Sequence, residues 1–285
     1  MNHTDNQTPP SRESSVEDEG ENMPKAKEAE AKTKANTKTV DPVLKQLLES
    51  GAHFGHRKDR WNPKMKPYIY GVRGGVHIVD LTQTLDQLLD AEKFVENTTK
   101  KGGKVLFVGT KRQARPIIEK AAKEVDMPYV SNRWLGGMLT NLETIQTRVN
   151  KLKKLQSDSA DNKHTGTKKE RADKEREMEH LNRIFAGISQ MQTKPDAVFI
   201  VDVLVDDIAV LEANKLNIPV IAICDTNTNP ENITYPIAGN DDAVKTISLI
   251  TTRIADAARR GSELYKANTA EAEAKEAAKN NQEEK

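Results

Sequence analysis

Two short stretches of this chain place cations beside aromatic rings. From His53 to Tyr68 the residues Arg57, Lys58, Arg60, Lys64 and Lys66 interleave with Phe54, Trp61 and Tyr68, and Arg73 follows. Gly51 precedes this stretch and Gly55, Pro63 and Pro67 punctuate it, so it reads as an ordered loop and not a regular element. In the second stretch, Ser131 to Gly137, Arg133 stands next to Trp134. Permanent cations neutralise phosphates, and an aromatic ring stacks on an exposed base. The plainer reading of Trp134 is a ring packed under neighbouring helices, and composition leaves both readings open. A third stretch, Val108 to Arg112, puts Lys111 and Arg112 after Gly109 and Thr110, between an apolar run and a helical one. Phosphate-binding loops occupy such places.

Enzyme signatures are missing around these residues. Gly109 to Lys111 lacks the upstream glycine of a Walker loop, and the strands are followed by neither a dinucleotide fingerprint nor a nucleophile elbow. His53 and His56 lie three apart with no cysteine or metal-ligand spacing near them, and read as loop contacts. We therefore assign no catalytic residue, no cofactor and no small-molecule substrate. Asp202 and Asp225 each end an apolar run. Such a pair could share a divalent cation, since the cation relieves their repulsion, or could serve as solvated loop carboxylates and helix caps.

The elements that must position these residues alternate in type. Val76–Val79, Val105–Val108, Tyr129–Val130, Ala197–Val201 and Pro219–Cys224 read as five strands. Between them, Leu85, Leu88, Leu89 and Val95, then Ala114, Ile117, Ile118 and Ala121, then Ile208, Leu211 and Leu216 recur at helical spacing. Asn240 is placed to cap a last helix from Asp241 to about Arg260, after a loop containing Pro230 and Pro236. Apolar strands alternating with helices imply a parallel sheet covered on both faces. The alternation breaks once. Thr140 to Glu143 matches a capping box, and Leu142, Ile145, Val149, Leu152 and Leu155 follow. After a polar link from Ser157 to Lys169, Met178, Leu181, Phe185 and Ile188 repeat the spacing, so residues 141–191 read as an inserted antiparallel helical hairpin.

The formal net charge of +1 conceals an uneven distribution. Six basic residues stand against one acid from Gly51 to Gly75, and six against none from Lys100 to Pro116. Between Asp196 and Asp242 the balance reverses, nine acids to one lysine. A chain so polarised can press one face on an anion. The single Cys224 lies in an apolar run, which suits a reducing compartment and a buried thiol. No apolar run approaches the ~20 residues of a membrane span, and the N-terminus lacks a signal-peptide core, which leaves a cytoplasmic protein. Residues 1–40 and 266–285 are polar and read as disordered tails around a domain of 41–265, the Ala/Glu/Lys-rich second tail with transient helix.

The same stretches carry a family resemblance. Gly51 to His56, Trp61 to Pro67, Val108 to Arg112, Asn132 to Asn141, Ile218 to Val220 followed by Asp225 to Asn227, and Gly239 to Asp242 resemble, in order, the second protein of the small ribosomal subunit, bacterial type. The likeness runs from about Val43 to Gly261 and leaves out both tails. It implies a flavodoxin-like three-layer α/β domain with a five-stranded parallel sheet and a hairpin insertion. It also implies a structural, non-enzymatic role in translation. The partners implied are 16S-type ribosomal RNA at the head/body junction, on the solvent side, and neighbouring small-subunit proteins, including the large mRNA-binding one. Arg57, Lys58, Arg60, Trp61, Lys64, Lys66, Arg73, Lys111, Arg112, Arg133 and Trp134 are the RNA candidates. Val203 to Asp207 departs from relatives that carry histidines there. The competing reading is a free-standing Rossmann-like nucleotide binder.

Overall fold

The structure, a computed structural model, describes residues 41–160 and 167–283; the expected disordered extension 1–40 lies outside them. In chain order the helices are α1 (Pro42–Ser50), α2 (Leu81–Thr99), α3 (Arg115–Glu124), α4 (Leu142–Ala160), α5 (Lys168–Phe185), α6 (Asp207–Lys215) and α7 (Val244–Glu283). The strands are β1 (Phe54–Arg57), β2 (Ile69–Arg73), β3 (Val76–Val79), β4 (Val105–Val108), β5 (Tyr129–Val130), β6 (Ala197–Ile200), β7 (Val220–Cys224) and β8 (Tyr235–Ala238).

The main sheet has five strands in the order β5-β4-β6-β7-β8, all paired in parallel. Counting only these strands along the chain, the order is 2-1-3-4-5, the flavodoxin-like doubly wound order. Strand side chains alternate between two cores. Leu106, Val108, Val198, Ile200, Val220 and Ala222 face α6 and the base of the hairpin. Val105, Phe107, Ala197, Phe199, Ile221 and Ile223 face Leu88, Ala91 and Val95 of α2, Ile118 of α3, and Ile247, Ile250 and Ile254 of α7. Helices α2 and α7 cross closely at Gly261, where a Cβ would come within 2.0 Å of Thr99 Oγ1 and 2.4 Å of the Glu96 carbonyl. Backbone cannot yield as a side chain can, so Gly261→Ala should destabilise the domain by ~1–3 kcal/mol. Thermal melting of the variant checks this, and an unchanged midpoint refutes the crossing.

The fold corrects the sequence reading in several places. Val76–Val79 is not in the parallel sheet; it is the central strand of a separate antiparallel sheet, order β1-β3-β2. The fifth parallel strand is instead β8, read from sequence as loop because of Pro236. Pro236 is tolerated because β8 is the sheet edge, where a missing N–H breaks no ladder. The basic stretch read as a loop contains β1 and two 3₁₀ turns, Lys58–Arg60 and Pro63–Tyr68. The last helix starts at Val244 and continues past Arg260 through most of the expected C-terminal tail, to Glu283, with Asn240 Oδ1 accepting from the N–H groups of Asp242 and Ala243. In the hairpin, Ile145, Val149 and Leu152 of α4 pack with Leu181 and Phe185 of α5. The capping box belongs to α5, where Thr167 and Glu170 exchange hydrogen bonds. Thr140, the expected cap of α4, gives its hydroxyl to Glu212 instead.

Candidate nucleic-acid interface

The first basic stretch is held to the carboxyl end of the parallel sheet through Thr226, just beyond β7. His56 N–H donates to Thr226 Oγ1 at 2.9 Å, and Asn62 N–H donates to the Thr226 carbonyl at 2.8 Å. Gly55 permits this approach, since a Cβ there would lie 2.5 Å from Thr226 Cγ2. Met65 is fully buried and plugs the 3₁₀ turn into the core. Lys58 N–H donates to the Gly75 carbonyl, which ties the stretch to the β2–β3 turn. On this frame Arg57, Lys58, Arg60, Lys64, Lys66 and Arg73 are all exposed. Lys64 pairs with Glu231; the other five have no carboxylate partner among the described residues. Trp61 is half-buried, its ring 5.2 Å from that of buried His77.

The second stretch presents only Arg133. Its side chain is exposed, whereas Trp134 is 6% exposed and packs in the core, with Nε1 donating to Glu212 Oε1 at 3.1 Å. Trp134 is therefore withdrawn as a stacking platform: it has neither a free face nor a free N–H. Asn132 Nδ2 donates to the Arg183 carbonyl at 2.7 Å and links this loop to the hairpin.

Lys111 is the other correction. Its ammonium is enclosed by Asp242 at 2.7 Å, Asp241 at 2.8 Å and Asp202 at 3.0 Å. Burial alone would lower its pKa, but the three carboxylates more than reverse this, so it stays protonated. It neutralises the protein's own acids and has no charge to spare for phosphate. Arg112, next in sequence, is exposed. Thr110 is engaged in the same way, donating its N–H and hydroxyl to Asp206 at 3.1 and 2.8 Å. These groups fill the crevice between the carboxyl ends of β4 and β6, the switch point where doubly wound sheets bind nucleotide phosphates. Carboxylates there repel such a ligand, which removes the nucleotide-binder reading.

His56 completes the cluster, with Nδ1 3.0 Å from Asp225 and Nε2 3.6 Å from Asp242. The contact with Asp225 raises the His56 pKa against its burial. Burial, then the nearby charges of Asp202 and Asp225, push the Asp241 carboxyl up to about 7. The sequence paired Asp202 with Asp225; the structure groups Asp225 with His56 and Asp241, whose ligand atoms lie within 4.8 Å of one another, and gives Asp202 to Lys111. Those three are the residues among those described that could hold a cation.

Sequence reasoning missed Thr226 and Glu212, which anchor the two loops from below. Glu212 did leave a trace, a lone acid at the spacing of Ala209 and Ala213 on the apolar face of α6. Thr226 lies within the family-like stretch Asp225 to Asn227, but nothing local shows its role, because its hydroxyl acts on a residue 170 positions away.

Residues 47–261 match the family model described as ribosomal protein S2. Relatives named small ribosomal subunit protein uS2 include one from Corynebacterium kroppenstedtii, 50% identical over 84% of this chain and 84% of its own length. One from Bartonella henselae is 52% identical over 78% of this chain and 86% of its own, and one from Thermobifida fusca 50% over 77% and 76%. With these matches spanning the sheet, both basic loops and the hairpin, the chain belongs to the ribosomal protein S2 family, whose members are structural proteins and not enzymes.

Proposed function

We propose that this chain, a structural component of the small ribosomal subunit in the cytoplasm, docks on 16S-type ribosomal RNA through Arg57, Lys58, Arg60, Lys66, Arg73, Arg112 and Arg133. The observation that carries this reading is a set of exposed cations without carboxylate partners, raised on loops that are pinned to the sheet. Unpaired surface cations on a rigid frame lose little freedom when they meet phosphate. Of the acids nearby, Asp202, Asp241 and Asp242 are engaged by Lys111, and Glu212 lies beneath the second loop. Trp61, half-exposed beside these cations, is suited to stack on a base or sugar. By resemblance, the docking place is the solvent side at the head/body junction. From there the protein helps recruit the large mRNA-binding protein of the same subunit.

Two measurements test this. In a sucrose gradient the protein should co-migrate with small subunits, and a wholly free pool would refute the assignment. Binding of the purified chain to small-subunit RNA should weaken with salt. Each single change of Arg57, Arg60 or Arg133 to Ala should lower the salt slope by about 0.7 to 0.9. An unchanged slope for all three would remove them from the interface.

A further inference from the structure

Helix α6 carries one ionisable group on its buried face. Ala209, Val210 and Ala213 pack into the core beside it, and Glu212 is 7% exposed. Its carboxylate is satisfied by five donors, all from the second basic-aromatic loop and the turn that follows it, up to Thr140. Oε1 accepts from Gly137 N–H at 2.7 Å and Trp134 Nε1 at 3.1 Å. Oε2 accepts from Leu139 N–H, Thr140 N–H and the Thr140 hydroxyl, each at 3.0 Å. Burial pushes the Glu212 carboxyl up, but these hydrogen bonds outweigh it and hold the group below its ordinary range.

Three backbone N–H groups converging on one anion form a nest of the kind that loops use to grip phosphate. Here the nest is turned inward and filled by the chain's own carboxylate. The loop's backbone donors are thereby withheld from any outside ligand. Gly137 makes the turn possible, at φ +92°. Trp134, Met138 and Leu139 are buried, and Asn132 is tied to the hairpin, so Arg133 is the charged side chain left outside.

We propose that Glu212 is the positioning residue of the second RNA-facing loop: its carboxylate fixes the backbone from Trp134 to Thr140, so that Arg133 is presented in one orientation. The proposal rests on the reading that Arg133 meets RNA. An oriented arginine loses less entropy on binding than one on a mobile loop. Glu212 thus raises affinity without touching RNA.

The test is reconstitution of the purified full chain into small subunits depleted of this protein, with Glu212→Gln, Arg133→Ala and the double variant. Gln keeps the size and one acceptor oxygen, but sets an NH₂ against donors that lose their partner. At temperatures where circular dichroism shows an intact fold, Glu212→Gln should bind about tenfold more weakly, the scale of one lost oriented charge contact. The amides of Gly137, Leu139 and Thr140 should exchange faster. Once Arg133 is Ala, the Gln change should add little, because both act on one contact. Parental binding by Glu212→Gln beside weakened Arg133→Ala overturns the proposal and leaves the RNA reading standing. A full additional loss in the double variant also overturns it, since a merely structural Glu212 would behave so. Parental binding by both single variants sinks the RNA reading of this loop and the proposal together. Should Glu212→Gln fail to fold, Trp134→Phe with Thr140→Val removes two donors and keeps the core. That pair should weaken binding and speed loop exchange, and parental behaviour refutes the idea.

Discussion

Replacing Arg57, Arg60 and Arg133 together by glutamate should exclude the protein from small ribosomal subunits in cells while leaving its fold intact. All three side chains are exposed and none pairs with a carboxylate among the described residues, so their loss breaks no ion pair there. Surface changes of this kind stay within about 0.5 kcal/mol of parental stability each. On RNA the effect is of another size. On the proposed reading, each reversal removes a cation and adds an anion facing phosphate, and the three are spread over both basic loops. Contacts of this kind govern both affinity and its salt dependence. The expected outcome is a protein that melts near the parental temperature but is found at the top of the gradient, with residual association lost as salt is raised. The alanine triple variant should show an intermediate defect. Entry of the glutamate triple variant into small subunits at parental levels would show that the RNA face lies elsewhere, even within the same family.

The parts of this molecule that sequence displays well are those whose cause is local. Val105–Val108, Ala197–Ile200 and Val220–Cys224 are apolar on both faces, and a run of that kind has few homes but the centre of a parallel sheet. The hairpin is legible from its two stripes, because each arm buries its apolar face on the other. What fails is whatever depends on a distant partner. Val76–Val79 has the right composition for a parallel strand, and nothing in four residues says that β1 and β2 will claim it. Pro236 argues against a strand until one knows that β8 is an edge, with its outer face closed by α2: Gln87 accepts from Ala238 N–H and Thr84 donates to the Ala238 carbonyl. The candidate site divides in the same way. Exposed arginines were found by charge pattern alone. Lys111 and Trp134 satisfy the same pattern, yet each is claimed by acids 78 to 131 residues away: Asp202, Asp241 and Asp242 lie 91, 130 and 131 residues from Lys111, and Glu212 lies 78 from Trp134.

Lys111→Met should cost most of its stability near neutral pH and much less in mild acid. In the parental protein one ammonium balances Asp202, Asp241 and Asp242, with Asp225 and His56 adjoining. Removing one partner of a buried charge pair costs ~3–5 kcal/mol, because the remaining charge is left uncompensated. Here two of the three carboxylates are buried and the third is exposed, so the loss belongs toward the lower end of that range. Protonation can relieve it. The folded Asp241 carboxyl already sits at about 7, above its unfolded value. The native state therefore holds a proton that the unfolded chain releases, and this group favours folding less as pH rises from about 4 to about 7. His56, also raised, supports folding below its unfolded pKa and loses that support as pH climbs through the folded one. Without the lysine the carboxylates repel more strongly, so Asp241 holds its proton to still higher pH. The melting-temperature gap between parent and variant should be small at about pH 5, where Asp241 is protonated in both, and should widen steadily to about pH 8. Phosphate recognition by Lys111 predicts the opposite pattern, in which stability is unchanged at every pH and only RNA binding falls. A constant gap across that window would remove the charge-balancing role assigned to this lysine.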